Sequence, residues 1–136
     1  MRPMIPGRVL AIALLLAPGA LAVGCSDIRR IEECNVLVNK INDGSGVLKE
    51  FDRAKDIDEQ VAKIESFERA VAGVELTFPE LKQFADEYEK WLKDVAVYAR
   101  DHADSTKYEE LYRRSEELSK REKDFVDRLN TYCRSG

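Results

Sequence analysis

The sequence predicts an all-α fold, an antiparallel up-down four-helix bundle. From Asp27 onward apolar residues recur at spacings of three and four almost throughout, and no segment alternates as a strand would. Four amphipathic segments joined by short connections are typical of this topology. Such a bundle brings the start of its first helix and the end of its last helix together, and Cys34 and Cys133 occupy those two places. A Cys34–Cys133 disulfide is therefore predicted to close the bundle.

The first helix is predicted over about 28–53. Its apolar face continues up to the segment 42–46, whose sequence Asn-Asp-Gly-Ser-Gly interrupts helices. The pattern resumes with Leu48 and Phe51, so a helix kinked near 43–46 and two short helices both remain open. A phosphate-binding loop at 44–46 is disfavoured, because no strand pattern precedes it and no Gly-Lys-Ser/Thr sequence follows it.

The other three helices are predicted over about 57–73, 78–102 and 106–133, so the bundle domain comprises residues 28–136. Each begins near an Asp or Thr that is followed three residues later by Glu. In this arrangement side chains satisfy the backbone N–H groups of the first turn. The three pairs are Asp56 with Glu59, Thr77 with Glu80, and Thr106 with Glu109.

Residues 1–24 have the organisation of a secretory signal peptide and are not expected to belong to the fold. Arg2 and Arg8 supply the initial positive charge, an uncharged apolar run covers 9–17, and small residues follow Pro18-Gly19. The apolar stretch is too short and too interrupted to cross a hydrocarbon core of roughly 30 Å. A retained transmembrane helix is therefore disfavoured.

The end of this segment, Ala22-Val23-Gly24-Cys25, resembles the lipobox of bacterial lipoprotein precursors. The resemblance implies cleavage before Cys25, acylation of its sulfur and amino group, and a lipidated anchor at 25–27 that holds the protein on a membrane. It also implies an outer-membrane location facing the periplasm, because the residue after the cysteine is Ser26 rather than the Asp associated with retention in the inner membrane.

The number of cysteines favours lipidation over the alternative, which is ordinary signal-peptidase cleavage after Ala20-Leu21-Ala22. The chain has three Cys, and ordinary cleavage would leave one without a partner in an oxidising compartment. Acylation of Cys25 leaves an even pair.

Composition disfavours several classes of function. The chain has 22 basic and 26 acidic residues, and two of the basic ones, Arg2 and Arg8, leave with the signal segment, so nucleic acid is not an expected partner. A single His, His102, and the position of both Met, Met1 and Met4, in the signal segment argue against a metal site. No cofactor is expected. No nucleophile pairs recognisably with His102, so an enzyme is not expected either.

Acidic residues often precede basic ones by four positions, which predicts ion pairs along single helices. They include Glu65 with Arg69, Glu89 with Lys93, Glu110 with Arg114, and Glu117 with Arg121. Glu122 differs, because it falls on the inner face of the last helix. It is expected to reach solvent or pair with a Lys or Arg, and a polar core site is the alternative.

Three aromatic residues of the third helix, Tyr88, Trp91 and Tyr98, are expected in the core, and a groove for an apolar ligand or a partner helix is the alternative. Together these observations predict a non-enzymatic lipoprotein of the bacterial envelope whose bundle is an interaction or structural module, with an envelope protein as the candidate partner. The alternative is a small-molecule binding protein with an aromatic-lined cavity.

Overall fold

The computed structural model describes residues 24–50, 56–104 and 106–135, and its described residues form four helices without a strand. They are α1 (Cys25–Lys49), α2 (Ile57–Ala72), α3 (Pro79–Asp104) and α4 (Tyr108–Arg134). The predicted all-α four-helix bundle is confirmed. The predicted signal segment, up to residue 23, and the predicted end of the first helix at residue 53 lie outside the described residues.

Helix α1 is continuous through the segment that was expected to kink or divide it. The reason lies at Gly44, which packs directly against the ring of Phe67 in α2. A Cβ atom at this position would lie 1.9 Å from Cε2 of Phe67. Gly44 therefore allows two helices to approach closely, and the helical hydrogen bonds continue past it to Lys49.

The helix caps agree only in part with the predicted capping pairs. The Asp56 side chain caps α2, because it accepts hydrogen bonds from the backbone N–H groups of Asp58 at 2.9 Å and Glu59 at 3.4 Å. The predicted cap at Thr106 is wrong: α4 begins at Tyr108, after Lys107, whose side chain makes no cap hydrogen bond. The Thr77 side chain bonds to α1, as described below.

The core is built mainly by α1, α2 and α3. Helix α1 contacts the other three helices, and α3 contacts both α2 and α4. Among its described residues α4 buries only Leu111, Phe125 and Leu129. The largest fully buried side chains all come from the first three helices: Leu37, Ile64, Val71, Leu81, Tyr88 and Leu92.

A disulfide joins Cys34 near the start of α1 to Cys133 near the end of α4, as predicted. The two Cα atoms are 5.8 Å apart and the residues are 99 positions apart in sequence. In the chain-entropy model, closing a loop of about 100 residues contributes about 4–5 kcal/mol to the free energy of unfolding. The bond ties the outermost helices together at one end of the bundle.

Three ion pairs connect α3 to α4 in a regular series, which we call the ionic ladder. Its pairs are Glu87 with Arg128, Asp94 with Arg121 at 2.8 Å, and Asp101 with Arg114 at 2.7 Å. On each helix the members are seven residues apart, so they share one face of an antiparallel helix pair. All three pairs lie at the solvent-exposed edge of that interface.

The ionic ladder corrects part of the predicted salt-bridge pattern. Arg114 and Arg121 pair with carboxylates of α3 and not with acidic residues of their own helix. Glu65 of α2 pairs with Arg100 of α3 at 2.5 Å and not with Arg69. The predicted pair of Glu89 and Lys93 is confirmed at 2.7 Å.

Candidate functional site

The structure separates the three aromatic residues that were considered together for a groove. Tyr88 is buried in the core, with 1% of its surface exposed, and its ring contacts Phe67 and Phe125. Trp91 stacks on Tyr88, with ring centroids 5.2 Å apart. Trp91 and Tyr98 line a groove in the surface, whereas Tyr88 lies beneath it and is not part of its wall.

The groove has a volume of about 190 Å³ and lies between the end of α1 and the middle of α3 and α4. Its polar wall belongs to α4, which contributes Ser115, Ser119 and Glu122. The rings of Trp91 and Tyr98 come from α3. The remaining wall is aliphatic and consists of Leu48, Val95 and Leu118.

The groove is open because α1 and α4 are joined at one end of the bundle only. The disulfide holds them together near Cys34, and α1 ends at Lys49, so the α4 face beyond the groove has no described helix over it. This face follows a spacing of alternating fours and threes, which keeps its residues on one side of the helix. Beyond the groove it presents Tyr108 and Tyr112, and in the groove wall it presents Ser115, Ser119 and Glu122.

Trp91 is held rigidly at the base of the groove. Its indole Nε1 donates a hydrogen bond of 2.9 Å to the backbone carbonyl of Leu118 in α4, and its ring is 7% exposed. Stacking on Tyr88 fixes the plane of the ring from the core side. The aromatic surface is therefore positioned before anything binds.

Glu122 gives the groove its charge. The side chain is half-buried, and burial raises the pKa of its carboxyl above the ordinary value. Among the described residues it forms neither an ion pair nor a hydrogen bond. The sequence predicts that Glu122 reaches solvent or pairs with Lys or Arg, and the half-exposed side chain agrees with the first alternative, since no described Lys or Arg lies within ion-pair distance.

The hydroxyl of Tyr88 is a second polar group in this region without a partner. It is buried and has no hydrogen bond in the described structure. Burial raises the pKa of Tyr88, and the negative charge of Glu122 raises it further. A buried unpaired hydroxyl costs free energy, so such groups often lie beside a site for water or a ligand.

A different carboxylate, Glu33 of α1, has its hydrogen-bond partners within the fold. It accepts hydrogen bonds from the backbone N–H groups of Thr77 at 2.7 Å and Phe78 at 3.2 Å, and from the hydroxyl of Thr77. Burial alone raises the pKa of Glu33. The Thr77 and Phe78 bonds and the positive charge of Arg29 outweigh that effect, so its pKa lies below the ordinary value.

The sequence analysis missed Glu33, although a signal for it exists. Glu33 lies four residues before Leu37, which lies four before Ile41, and both of these are buried. This spacing places Glu33 on the buried face of α1. A buried carboxylate requires hydrogen-bond donors, but the sequence does not show that these are the backbone groups at the start of α3.

The predicted lipidation site, Cys25, is the first residue of α1 and is exposed with a free thiol. Cys34 lies nine positions further along the helix, which corresponds to about 14 Å along the axis at 1.5 Å per residue. Cys25 therefore extends from the disulfide end of the bundle, opposite to the end at which α1 finishes.

Within the described residues, no cluster of three His, Cys, Asp or Glu side chains could hold a metal ion. In the same part of the chain no helix combines the length and the apolar character needed to cross a bilayer. No protein-family model, curated protein or solved structure matches the chain. The fold and the groove are therefore interpreted from their own geometry.

Proposed function

We propose that the protein is a non-enzymatic lipoprotein of the bacterial envelope, acylated at Cys25, whose bundle is an interaction or structural module on the periplasmic side of the outer membrane. The observation that carries the proposal is the exposed thiol of Cys25 at the first position of α1. Acyl chains at this position, each contributing about 0.8 kcal/mol per buried CH₂, would hold the protein firmly. The disulfide end then faces the membrane.

This orientation directs the opposite end of the bundle into the periplasm. Helix α3 has 26 residues and is about 39 Å long, so that end lies well clear of the headgroups. It exposes two aromatic side chains of α4, with Tyr108 at 76% and Tyr112 at 66% exposure. Tyrosine is enriched at protein interfaces, which supports an envelope protein as the partner and this end as its contact.

Labelling with radioactive palmitate in a Gram-negative host, followed by membrane fractionation, tests the anchor. The wild-type protein is expected to incorporate label and to sediment with outer membranes, and Cys25→Ser is expected to lose both properties. The matched control is the double variant Cys34→Ser/Cys133→Ser, which removes the other two thiols and should still be labelled. Labelling of Cys25→Ser, or an unlabelled wild type, would overturn the proposal.

A second candidate function is small-molecule binding in the groove, and the rigidly held ring of Trp91 favours it. The groove volume of about 190 Å³ is below the 300–1,000 Å³ that is usual for drug-sized ligands. Any ligand is therefore small. Because Trp91 is the only Trp of the chain, its fluorescence reports directly on occupancy. A panel of small ligands that leaves the emission of Trp91 unchanged would exclude this function.

A further inference from the structure

The groove contains one charged side chain and no counter-charge. Glu122 is the only Asp, Glu, Lys or Arg in its described wall, which otherwise consists of aromatic, aliphatic and serine side chains. Taking a carboxylate partly out of water is unfavourable unless a cation or hydrogen-bond donors compensate it. In the described structure neither is present at Glu122.

Exposed carboxylates of the described residues often lack an ion pair, but the partly buried Glu65, Glu68 and Glu89 each contact a cation. The carboxylates of Glu87, Asp94 and Asp101 at the α3–α4 interface each contact an arginine of α4, and Glu65 contacts Arg100. The ionic ladder lies on a different face of α4 from Glu122, and its three arginines pair with carboxylates of α3. Helix α4 thus supplies cations to other carboxylates and leaves the one in the groove unpaired.

The buried hydroxyl of Tyr88 is an independent sign of an unfilled polar site. It has no hydrogen bond, and it lies near enough to Glu122 for the carboxylate charge to act on it. The Tyr88 ring stacks on Trp91, which lines the groove. Two polar groups without hydrogen-bond partners therefore lie in this region: Glu122 of α4 in the groove wall and the hydroxyl of Tyr88 of α3 in the core behind it.

We propose that the groove is a binding site for a small organic cation, an alkylammonium or quaternary ammonium of about six heavy atoms. The Glu122 carboxylate neutralises the charge, and the ring of Trp91 contacts its methyl or methylene groups, an arrangement that favours organic cations through cation–π attraction. Tyr98 bounds the site, and its ring already carries the guanidinium of Arg114. The size follows from the volume: a cavity of about 150 Å³ holds benzene, and this groove measures about 190 Å³.

A metal ion does not suit this groove, because a single carboxylate among aromatic and aliphatic side chains offers too few oxygen ligands. A neutral apolar ligand does not suit it either, since it would leave the carboxylate buried further and still unpaired. This inference rests on the second candidate function, ligand binding in the groove. It is independent of the lipid anchor, which the palmitate experiment tests separately.

The test is a titration of the whole protein as its host produces it, in non-ionic detergent, followed by Trp91 fluorescence. The probes are n-butylammonium and tetramethylammonium chloride, with 1-butanol as the neutral counterpart of the former and sodium chloride as the control for ionic strength. The two cations are expected to give saturable changes in emission. 1-Butanol is expected to bind at least tenfold more weakly than n-butylammonium.

The decisive variant is Glu122→Gln, which removes the charge with little change in shape. It should weaken binding of both cations at least tenfold. The matched control is Asp124→Asn, which removes one charge from the same helix at an exposed position and should leave binding unchanged. Circular dichroism of each variant shows whether the bundle is intact, and Glu122→Asp, which restores the charge, should recover part of the affinity.

Three outcomes would overturn the proposal. Equal affinity for 1-butanol and n-butylammonium would show that the groove selects apolar surface rather than charge, which would retain ligand binding as a function and reject the cation. Unchanged cation affinity in a folded Glu122→Gln protein would place the site elsewhere. If neither cation gives a saturable change in Trp91 emission, the groove is not a binding site for organic cations.

Discussion

Glu33 and Thr77, 44 residues apart, are joined by two hydrogen bonds: the backbone N–H and the hydroxyl of Thr77 each donate to one oxygen of the Glu33 carboxylate. Phe78 donates a third bond to the same carboxylate. The donors lie immediately before α3 begins at Pro79, so a residue of α1 caps the start of another helix. One carboxylate thus fixes α1 against the connection between α2 and α3.

Replacing Glu33 by Ala is expected to lower the free energy of unfolding by about 2–4 kcal/mol, because three donors in a partly buried position lose a charged acceptor. Urea denaturation followed by circular dichroism measures the change. Glu32→Ala is the matched control, since Glu32 is exposed on a different face of α1 and its loss should change stability by less than about 0.5 kcal/mol. Equal effects at the two positions would contradict the assignment.

The stability supplied by Glu33 should depend on pH. Folding lowers its pKa, so its contribution is complete above the ordinary value of 4.5 and is lost as the pH falls through the lower pKa of the folded state. The difference in unfolding free energy between the wild type and Glu33→Gln should therefore shrink between pH 7 and pH 3. A difference that stays constant over this range would show that the charge of Glu33 is not what stabilises the contact.

Two glycines of α1 should respond oppositely to alanine. Gly44→Ala places a methyl group into the ring of Phe67 and should cost about 1–3 kcal/mol through overpacking. Gly46→Ala meets no atom within 4 Å and should stabilise the helix by up to about 1 kcal/mol, since alanine favours helices. Thermal unfolding of both variants measures whether each is more or less stable than the wild type. Stabilisation by Gly44→Ala would mean that α1 and α2 are not in close contact there.

Among these variants, loss of the disulfide should lower the free energy of unfolding the most. The double variant Cys34→Ser/Cys133→Ser is expected to lose about 4–5 kcal/mol in the chain-entropy model. Cys25→Ser leaves this bond intact and should unfold at the wild-type urea concentration. If the double variant unfolds at the same urea concentration as the wild type, the bond does not constrain the unfolded chain as proposed.

The sequence predicted what depends on local periodicity and on the number of cysteines. Four helices follow from the spacing of apolar residues, and the disulfide follows from the placement of Cys34 and Cys133 in an even-numbered bundle. The continuity of α1 was not predictable, because the role of Gly44 depends on Phe67 in the next helix. Glycine within a helical pattern lowers helix propensity, but contacts between helices can override that preference.

Contacts between helices also explain why the predicted ion pairs and the groove differ from those in the structure. Arg114 and Arg121 have acidic neighbours four residues earlier, which predicted pairs within α4, whereas the structure pairs them with α3. The seven-residue repeat of acids in α3 and arginines in α4 was present in the sequence and would have indicated the ladder. The sequence analysis named a groove at Tyr88, Trp91 and Tyr98 as the alternative to core positions, and two of these residues, Trp91 and Tyr98, line the groove. Its boundaries were not predictable, because they depend on where α1 ends relative to α4.

The seven-residue repeat of the ionic ladder affects how α4 is aligned with α3 along the helix axis. Sliding α4 along α3 by seven residues, about 10.5 Å, would bring two of the three arginines opposite new acidic partners, so the ion pairs alone discriminate weakly between the two arrangements. The disulfide cannot form after such a displacement, because its Cα atoms must remain within about 7 Å of each other. The bond between Cys34 and Cys133 therefore adds to core packing a second restraint that excludes an alignment the ion pairs alone would tolerate.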